Sequence, residues 1–177
     1  MRAAKSKIPQ KYFNNLKKVS FFSGLDDHQI EQMIGVMTIR EFDANDFVMH
    51  EGESGTEIYI LLEGEVEISK SLVLPQWVQS VQNQEKALIR LSEKQFPFFG
   101  EMSMFGDTAT REASIKATKA CRMACMEKDV LIAEINKDPQ IGTVIYHNIA
   151  SELVKRLRKA NKDILKLTTA FSLALEG

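Results

Sequence analysis

The stretch Phe98-Phe99-Gly100-Glu101-Met102-Ser103-Met104-Phe105-Gly106-Asp107-Thr108-Ala109-Thr110-Arg111-Glu112-Ala113-Ser114 places a glycine, a carboxylate and an arginine around one short loop. Gly100 permits a close backbone approach to a ligand, and the apolar turn Met102 to Phe105 opens with N–H groups that lack a carbonyl one turn back. Such a turn suits an anion. Arg111, expected at the start of a strand, offers a planar fork for two phosphate oxygens, while Glu101 can accept from a sugar hydroxyl. An arginine near a glutamate also forms a plain structural ion pair, so the residues by themselves leave both readings open.

Around this stretch the chain reads as strands. Ile39 to Phe42, Phe47 to Met49, Ile58 to Leu62 and Val66 to Ile68 are short apolar runs separated by Asn45, Gly52, Gly55 and Gly64. Further runs follow at Ala87 to Leu91, Ser114 to Ala117 and Cys121 to Glu127. Strands of this length and spacing predict a β-sandwich or barrel over residues 39–127. A Gln-rich connection between Ser71 and Lys86 holds the sole tryptophan, Trp77, and suggests no role.

The flanks are helical. Residues 1–38 hold Tyr12, Phe13, Leu16 and Val19 at helix spacing, then a second helix capped by Asp26 or Asp27, with Ile30, Met33, Ile34 and Met37 on one side and an end near 35–38. Residues 128–177 hold Pro139 at a helix start. Tyr146, Ala150, Leu153, Leu157, Ala160, Ile164, Leu167, Phe171 and Ala174 then recur at 4-3-4-3 spacing. That stripe fits a coiled-coil seam with a second copy or a helix packed on its own domain.

Composition narrows the function classes. The 177 residues are 44% hydrophobic and 27% charged, as expected for one globular domain, and 23 Lys+Arg against 24 Asp+Glu give no global field favouring nucleic acid or an anionic membrane. No apolar run reaches the ~18 residues of a membrane span, and the N-terminus lacks a signal-peptide pattern, so a soluble cytoplasmic protein is expected. Charge is nonetheless segregated. Residues 41–67 carry nine acidic and no Lys or Arg side chains, whereas the long helix carries Lys155, Arg156, Arg158, Lys159, Lys162 and Lys166.

Cys121 and Cys125 would lie ~13 Å apart on one strand, beyond the ~7 Å disulfide limit, and read as small buried residues on one face with Met123. The motifs of serine hydrolases, zincins, P-loop enzymes and dithiol oxidoreductases are absent, so no enzyme is expected. His28, His50 and His147 share no ligand spacing, and no metal or cofactor is expected.

Over residues 20 to 165 the chain resembles the cyclic nucleotide-binding domain family, shared by catabolite-activator-type transcription factors, protein kinase regulatory subunits and gated channels. The resemblance rests on Phe21-Phe22-Ser23-Gly24-Leu25, on Phe42 through Gly52, and on Tyr59-Ile60-Leu61-Leu62-Glu63-Gly64-Glu65-Val66. It is strongest at Phe99-Gly100-Glu101-Met102-Ser103-Met104 followed by Arg111-Glu112-Ala113, which is similar to the family's phosphate-binding cassette. It implies a mainly β fold with flanking helices, a double-stranded β-helix or jelly roll, with N-terminal helices and a long C-terminal helix.

It further implies that Arg111 and the amides near Gly100, Met102 and Ser103 hold a cyclic phosphate, that Glu101 takes the ribose 2′-OH, and that Val66 lines the base side. The long helix would close over the base. Counting from Arg156-Leu157 brings Ala160 and Asn161 to an adenine contact, where Asn161 offers a donor and an acceptor; as a bare residue it equally reads as a polar flank of the seam.

Three positions depart from the family pattern. Asn45 stands where glycine is usual, and asparagine tolerates left-handed geometry. Phe96-Pro97 replaces a Gly-Asp step before the cassette. Glu112 replaces a small or hydroxyl residue, and a carboxylate ~5 Å from a phosphate at an effective dielectric of ~20 would cost about 3 kcal/mol. Strand alternation would give Arg111 and Ala113 one face and turn the Glu112 side chain away, leaving its N–H toward the ligand.

The implied function is a regulatory domain that binds a cyclic purine nucleotide, cAMP or cGMP, and passes the signal through its C-terminal helix. It would act as a homodimer paired through the 139–175 helix, with an unidentified downstream protein as partner. The alternative is a degenerate, nucleotide-free domain serving as a dimeric interaction module. A helix-turn-helix would have to follow the long helix, and only residues 172–177 remain there, so no DNA contact is expected from this chain.

Overall fold

The computed structural model describes residues 6–71, 85–105 and 109–176; the tryptophan-bearing connection and residues 106–108 of the cassette loop fall outside them. Asp26 accepts the Gln29 backbone N–H at 2.8 Å while its own N–H donates to the Gln29 side chain at 3.1 Å, the capping box that starts α2 (Asp27–Gly35). Upstream, the expected helix is shorter. A 3-10 turn at Gln10–Tyr12 leads into α1 (Phe13–Leu16), and a second 3-10 turn at Ser20–Phe22 carries two aromatic rings inward.

The strands are β1 (Ser6–Lys7), β2 (Thr38–Phe42), β3 (Phe47–Met49), β4 (Ile58–Glu63), β5 (Glu65–Ser71), β6 (Glu85–Ser92), β7 (Phe98–Phe99), β8 (Ser114–Ala117) and β9 (Cys121–Met126). They form two antiparallel sheets, β1-β2-β9-β4-β7 and β3-β8-β5-β6, the jelly-roll arrangement expected. The β1 pairing with β2 had no sequence signal, because two residues are too few to show alternation.

Strand β4 shows why the sheets stack. Its apolar run is buried on both sides: Tyr59 and Leu61 join Val66, Phe99, Ile115, Met123, Cys121 and Cys125 in one cluster, while Ile58, Ile60 and Leu62 join the helices in another. Both cysteines are free and buried on one face of β9, as their spacing predicted. Asn45 adopts φ 76°, the left-handed geometry expected of it. Phe96 also takes φ 47°, a strained value for a bulky side chain, which turns the chain into Pro97 and β7. Packing of its ring against the helical core offsets that strain.

After β9 come α4 (Lys128–Lys137) and α5 (Pro139–Glu176), a helix of 38 residues. α5 is anchored by Ile141, Ile145 and Ile149, all buried, and by the Asn148 side-chain amide, which donates to the carbonyls of Phe21 (3.0 Å) and Ser23 (2.8 Å). The anchoring face is therefore not the expected 4-3-4-3 stripe. Tyr146 and Ala150 of that stripe are exposed, as is every described side chain of α5 beyond Arg156. Phe21 sits at the junction, edge-on to Phe22 at 5.0 Å and to Phe98 at 5.4 Å between ring centroids. Phe21→Ala is expected to destabilise the fold by about 3–5 kcal/mol, read as a lowered urea midpoint with unchanged slope.

Candidate functional site

Residues 109–111 are clamped against 52–55. Gly55 N–H donates to the Ala109 carbonyl at 2.8 Å, Arg111 N–H to the Glu53 carbonyl at 2.8 Å, and Gly52 N–H to the Arg111 carbonyl at 2.9 Å. This clamp aims the Arg111 side chain inward, where it is 4% exposed. Nη1 donates to the Glu57 carbonyl (2.9 Å), the Ser103 hydroxyl (2.9 Å) and the Gly100 carbonyl (3.3 Å), and Nη2 donates to Glu57 Oε2 at 2.7 Å. The Ser103 hydroxyl in turn donates to the Gly100 carbonyl at 2.9 Å, which ties α3 (Met102–Phe105) to the arginine.

Two glycines make room for this packing. A Cβ on Gly55 would stand 2.8 Å from the Arg111 Nε, and one on Gly100, at φ +90°, would stand 2.5 Å from the Glu57 carbonyl oxygen. Neither position accepts a side chain without displacing the guanidinium or the backbone beside it.

Glu101 is 1% exposed and reaches across to α5, where Arg156 Nη1 donates to its Oε1 at 2.6 Å and Arg156 Nη2 donates to the Phe98 carbonyl at 2.8 Å. Its second oxygen, Oε2, is buried and has no hydrogen-bond partner among the described residues. Burial pushes the Glu101 carboxyl above its usual range, against the downward pull of Arg156. Glu57 goes the other way. Burial acts to raise it, but its own backbone N–H, Arg40 and Arg111 together hold it below the usual carboxylate range.

Arg111, Glu101 and Arg156 border one cleft of about 110 Å³ between the β-roll and α5, and Glu57 stands behind Arg111. Gly100, Glu101, Met102, Ser103, Arg111, Glu112 and Ala113 line it, so seven of the nine expected site residues come together. Met49, Ile68, Phe99 and Ile115 supply an apolar wall, and Arg156 closes the helix side.

Two expected residues are not on the cleft. Val66 is wholly buried between the sheets, and Ile68, two residues along the same face of β5, forms the wall instead. Asn161 lies on the exposed part of α5, more than a turn beyond Arg156. Glu112 and Ala113 form a bend and β8 begins only at Ser114, so strand alternation does not apply to residues 111–113. Glu112 does line the cleft, and Lys70 on β5 stands 3.6 Å from its carboxylate, a cation that offsets the charge expected to repel a phosphate.

Arg156 was only a counting landmark in the sequence, and Glu57 carried no signal at all. Ile68 was legible from alternation along β5. Among the described residues no group of three or more His, Cys, Asp or Glu is placed to hold a metal, and no helix is long and apolar enough to cross a membrane.

Comparison with known proteins gives a consistent picture. The family model described as the cyclic nucleotide-binding domain matches residues 39–138. The chain is 26% identical to human cGMP-dependent protein kinase 2 over 132 residues, 73% of this chain and 16% of the kinase. It is 25% identical over 152 residues to a CRP-like cAMP-activated global transcriptional regulator of Mycobacterium tuberculosis, 86% of this chain and 61% of that protein. The chain thus spans about a sixth of the kinase and less than two thirds of the regulator. Among solved structures, a cyclic nucleotide-binding domain from Methylobacillus flagellatus aligns with a TM-score of 0.74 at 21% identity, covering 88% of this chain and 83% of that one. The catabolite activator protein of Thermus thermophilus aligns at 0.69 and 23%, covering 84% and 63%, and supports the same fold.

Proposed function

The chain belongs to the cyclic nucleotide-binding domain family, and we propose that its cleft binds a cyclic purine nucleotide, cAMP or cGMP, as a regulatory ligand. The observation that carries the reading is the convergence of a buried arginine and a buried carboxylate with one unpartnered oxygen on a single apolar-walled cleft. Arg111 and the first amides of α3 take the cyclic phosphate, and Glu101 Oε2 accepts the ribose hydroxyl. Met49, Ile68 and Ile115 pack against the sugar and base. The names of the two curated relatives, one cGMP-dependent and one cAMP-activated, support either nucleotide.

Binding reaches α5 through Arg156. Ordinary ligand pockets occupy ~300–1,000 Å³, and the cleft of about 110 Å³ favours a helix wall that gives way as a nucleotide enters. A ribose hydroxyl on Glu101 Oε2 shares the carboxylate whose Oε1 holds Arg156, and the helix position then follows the difference in ligand affinity between the two arrangements. The roll over 39–127 is the sensor, and residues 128–177 are the output. Beyond Leu153 the apolar stripe of α5 faces solvent, with Leu157 60% and Phe171 67% exposed. A second copy paired along the 139–175 helix covers it, and the dimer presents the signal to a downstream protein.

The test is calorimetric titration of the folded, nucleotide-stripped chain with cAMP and with cGMP. Micromolar or tighter binding of either supports the reading and names the ligand. A folded, ligand-free sample that gives no heat with both overturns it and leaves a dimeric interaction module.

A further inference from the structure

The Glu57 carboxylate is shared between two arginines. Oε2 accepts from Arg111 Nη2 at 2.7 Å, and Oε1 accepts from Arg40 Nη2 at 3.2 Å. Arg40 stands on β2, away from the cleft lining, and its Nη1 donates to the Tyr59 hydroxyl at 2.7 Å, which fixes its direction. The three charged groups come from β2, from the residue before β4 and from the bend before β8, and no local sequence pattern joins them.

Resting on the nucleotide reading above, we propose that Arg40 is a positioning residue that sets the affinity of Arg111 for the ligand phosphate by drawing Glu57 off it. An incoming phosphate and the Glu57 carboxylate compete for one guanidinium. Two arginines and one glutamate sum to +1, so the cluster attracts an anion while Arg40 is present. Without Arg40 the sum is zero and both carboxylate oxygens are left to Arg111. Without the Glu57 charge the sum is +2, and Arg111 keeps only neutral internal acceptors, the Glu57 and Gly100 carbonyls and the Ser103 hydroxyl. Removing both side-chain charges returns the sum to +1.

The experiment is calorimetric titration of the full chain with the nucleotide that the wild type binds, using Arg40→Gln, Glu57→Gln, the double variant and Arg40→Lys. Arg40→Gln is expected to bind about tenfold more weakly. Glu57→Gln should bind at least as tightly as wild type, and the double variant and Arg40→Lys should return to within a few-fold of it. The signature is the rescue of Arg40→Gln by a second loss. A purely structural cluster predicts that both single variants weaken binding and that the double is worse still, and that pattern overturns the proposal. Thermal unfolding checks folding. If Arg40→Gln alone fails to fold, the double variant, which leaves no charge unpaired at Glu57, decides: wild-type affinity supports the proposal and tenfold weaker binding overturns it. A wild type that binds but is matched by Arg40→Gln sinks this inference alone, whereas a wild type that binds neither nucleotide removes the nucleotide reading and this inference with it.

Discussion

Arg111→Ala is expected to weaken cyclic nucleotide binding by at least a hundredfold while the chain stays folded. A charge-assisted hydrogen bond contributes about 1.5–3 kcal/mol, and a guanidinium that meets a phosphate with two of them accounts for roughly two to four powers of ten in affinity. The loss is deepened by what remains. Glu57, whose Oε2 is bonded to Arg111 at 2.7 Å, would face the phosphate with that oxygen uncovered. Folding should survive because Arg40 still holds the other carboxylate oxygen and because the backbone clamp between 52–55 and 109–111 does not involve the guanidinium. A stability cost of about 1–3 kcal/mol is expected from the Glu57 carbonyl, which loses its Arg111 donor, whereas the Gly100 carbonyl keeps the Ser103 hydroxyl. Arg111→Lys keeps the charge but not the fork, and an intermediate loss is expected. Calorimetry beside thermal unfolding reads both quantities. A folded Arg111→Ala chain with wild-type affinity would mean that the phosphate sits elsewhere.

The second large effect concerns assembly. The wild-type chain should sediment as a dimer, and Ile164→Lys combined with Phe171→Lys should convert it to a monomer at the same concentration. Both side chains are more than half exposed on the isolated chain, and covering one large apolar side chain contributes about 1.5–3 kcal/mol. The double substitution removes four such groups from a symmetric pair and sets lysines opposite one another. The stretch from Val154 to Leu175 has no described buried side chain, and helices in proteins owe most of their stability to a packed face. The monomer should therefore also lose helical circular dichroism while the β-roll keeps its unfolding transition. A wild-type chain that sediments as a monomer would falsify the seam.

Much of the fold was legible because it is local. Short apolar runs between turns marked β2 to β6, β8 and β9; an aspartate cap at 26 or 27 marked the start of α2; and a tolerant asparagine at 45 proved to be left-handed. Errors came where locality misled. Arg111-Glu112-Ala113 was read by strand alternation, but Glu112 and Ala113 lie in a bend that precedes β8, with Arg111 clamped against Glu53, so alternation does not decide which way the Glu112 side chain turns. The 4-3-4-3 stripe on α5 was a true periodicity, yet the buried contacts with the domain come from a second line, Ile141-Ile145-Ile149, and of the stripe Leu153 packs on the core and Tyr146 on Phe105.

The sequence by itself determined the run of short strands that makes a sandwich or barrel and the long amphipathic helix, since each depends on spacing within a short window, and the resemblance carried by Gly100, Glu101 and Arg111 implied the roll and its cassette. Only the tertiary structure decided what those residues face. Arg156 stands 55 positions from Glu101, and Arg111 stands 54 from Glu57. Such pairings are made by sheet stacking and helix docking, not by local propensity. They also set the charge in the cleft, because a buried guanidinium or carboxylate takes its character from whichever opposite charge the fold brings within hydrogen-bond reach.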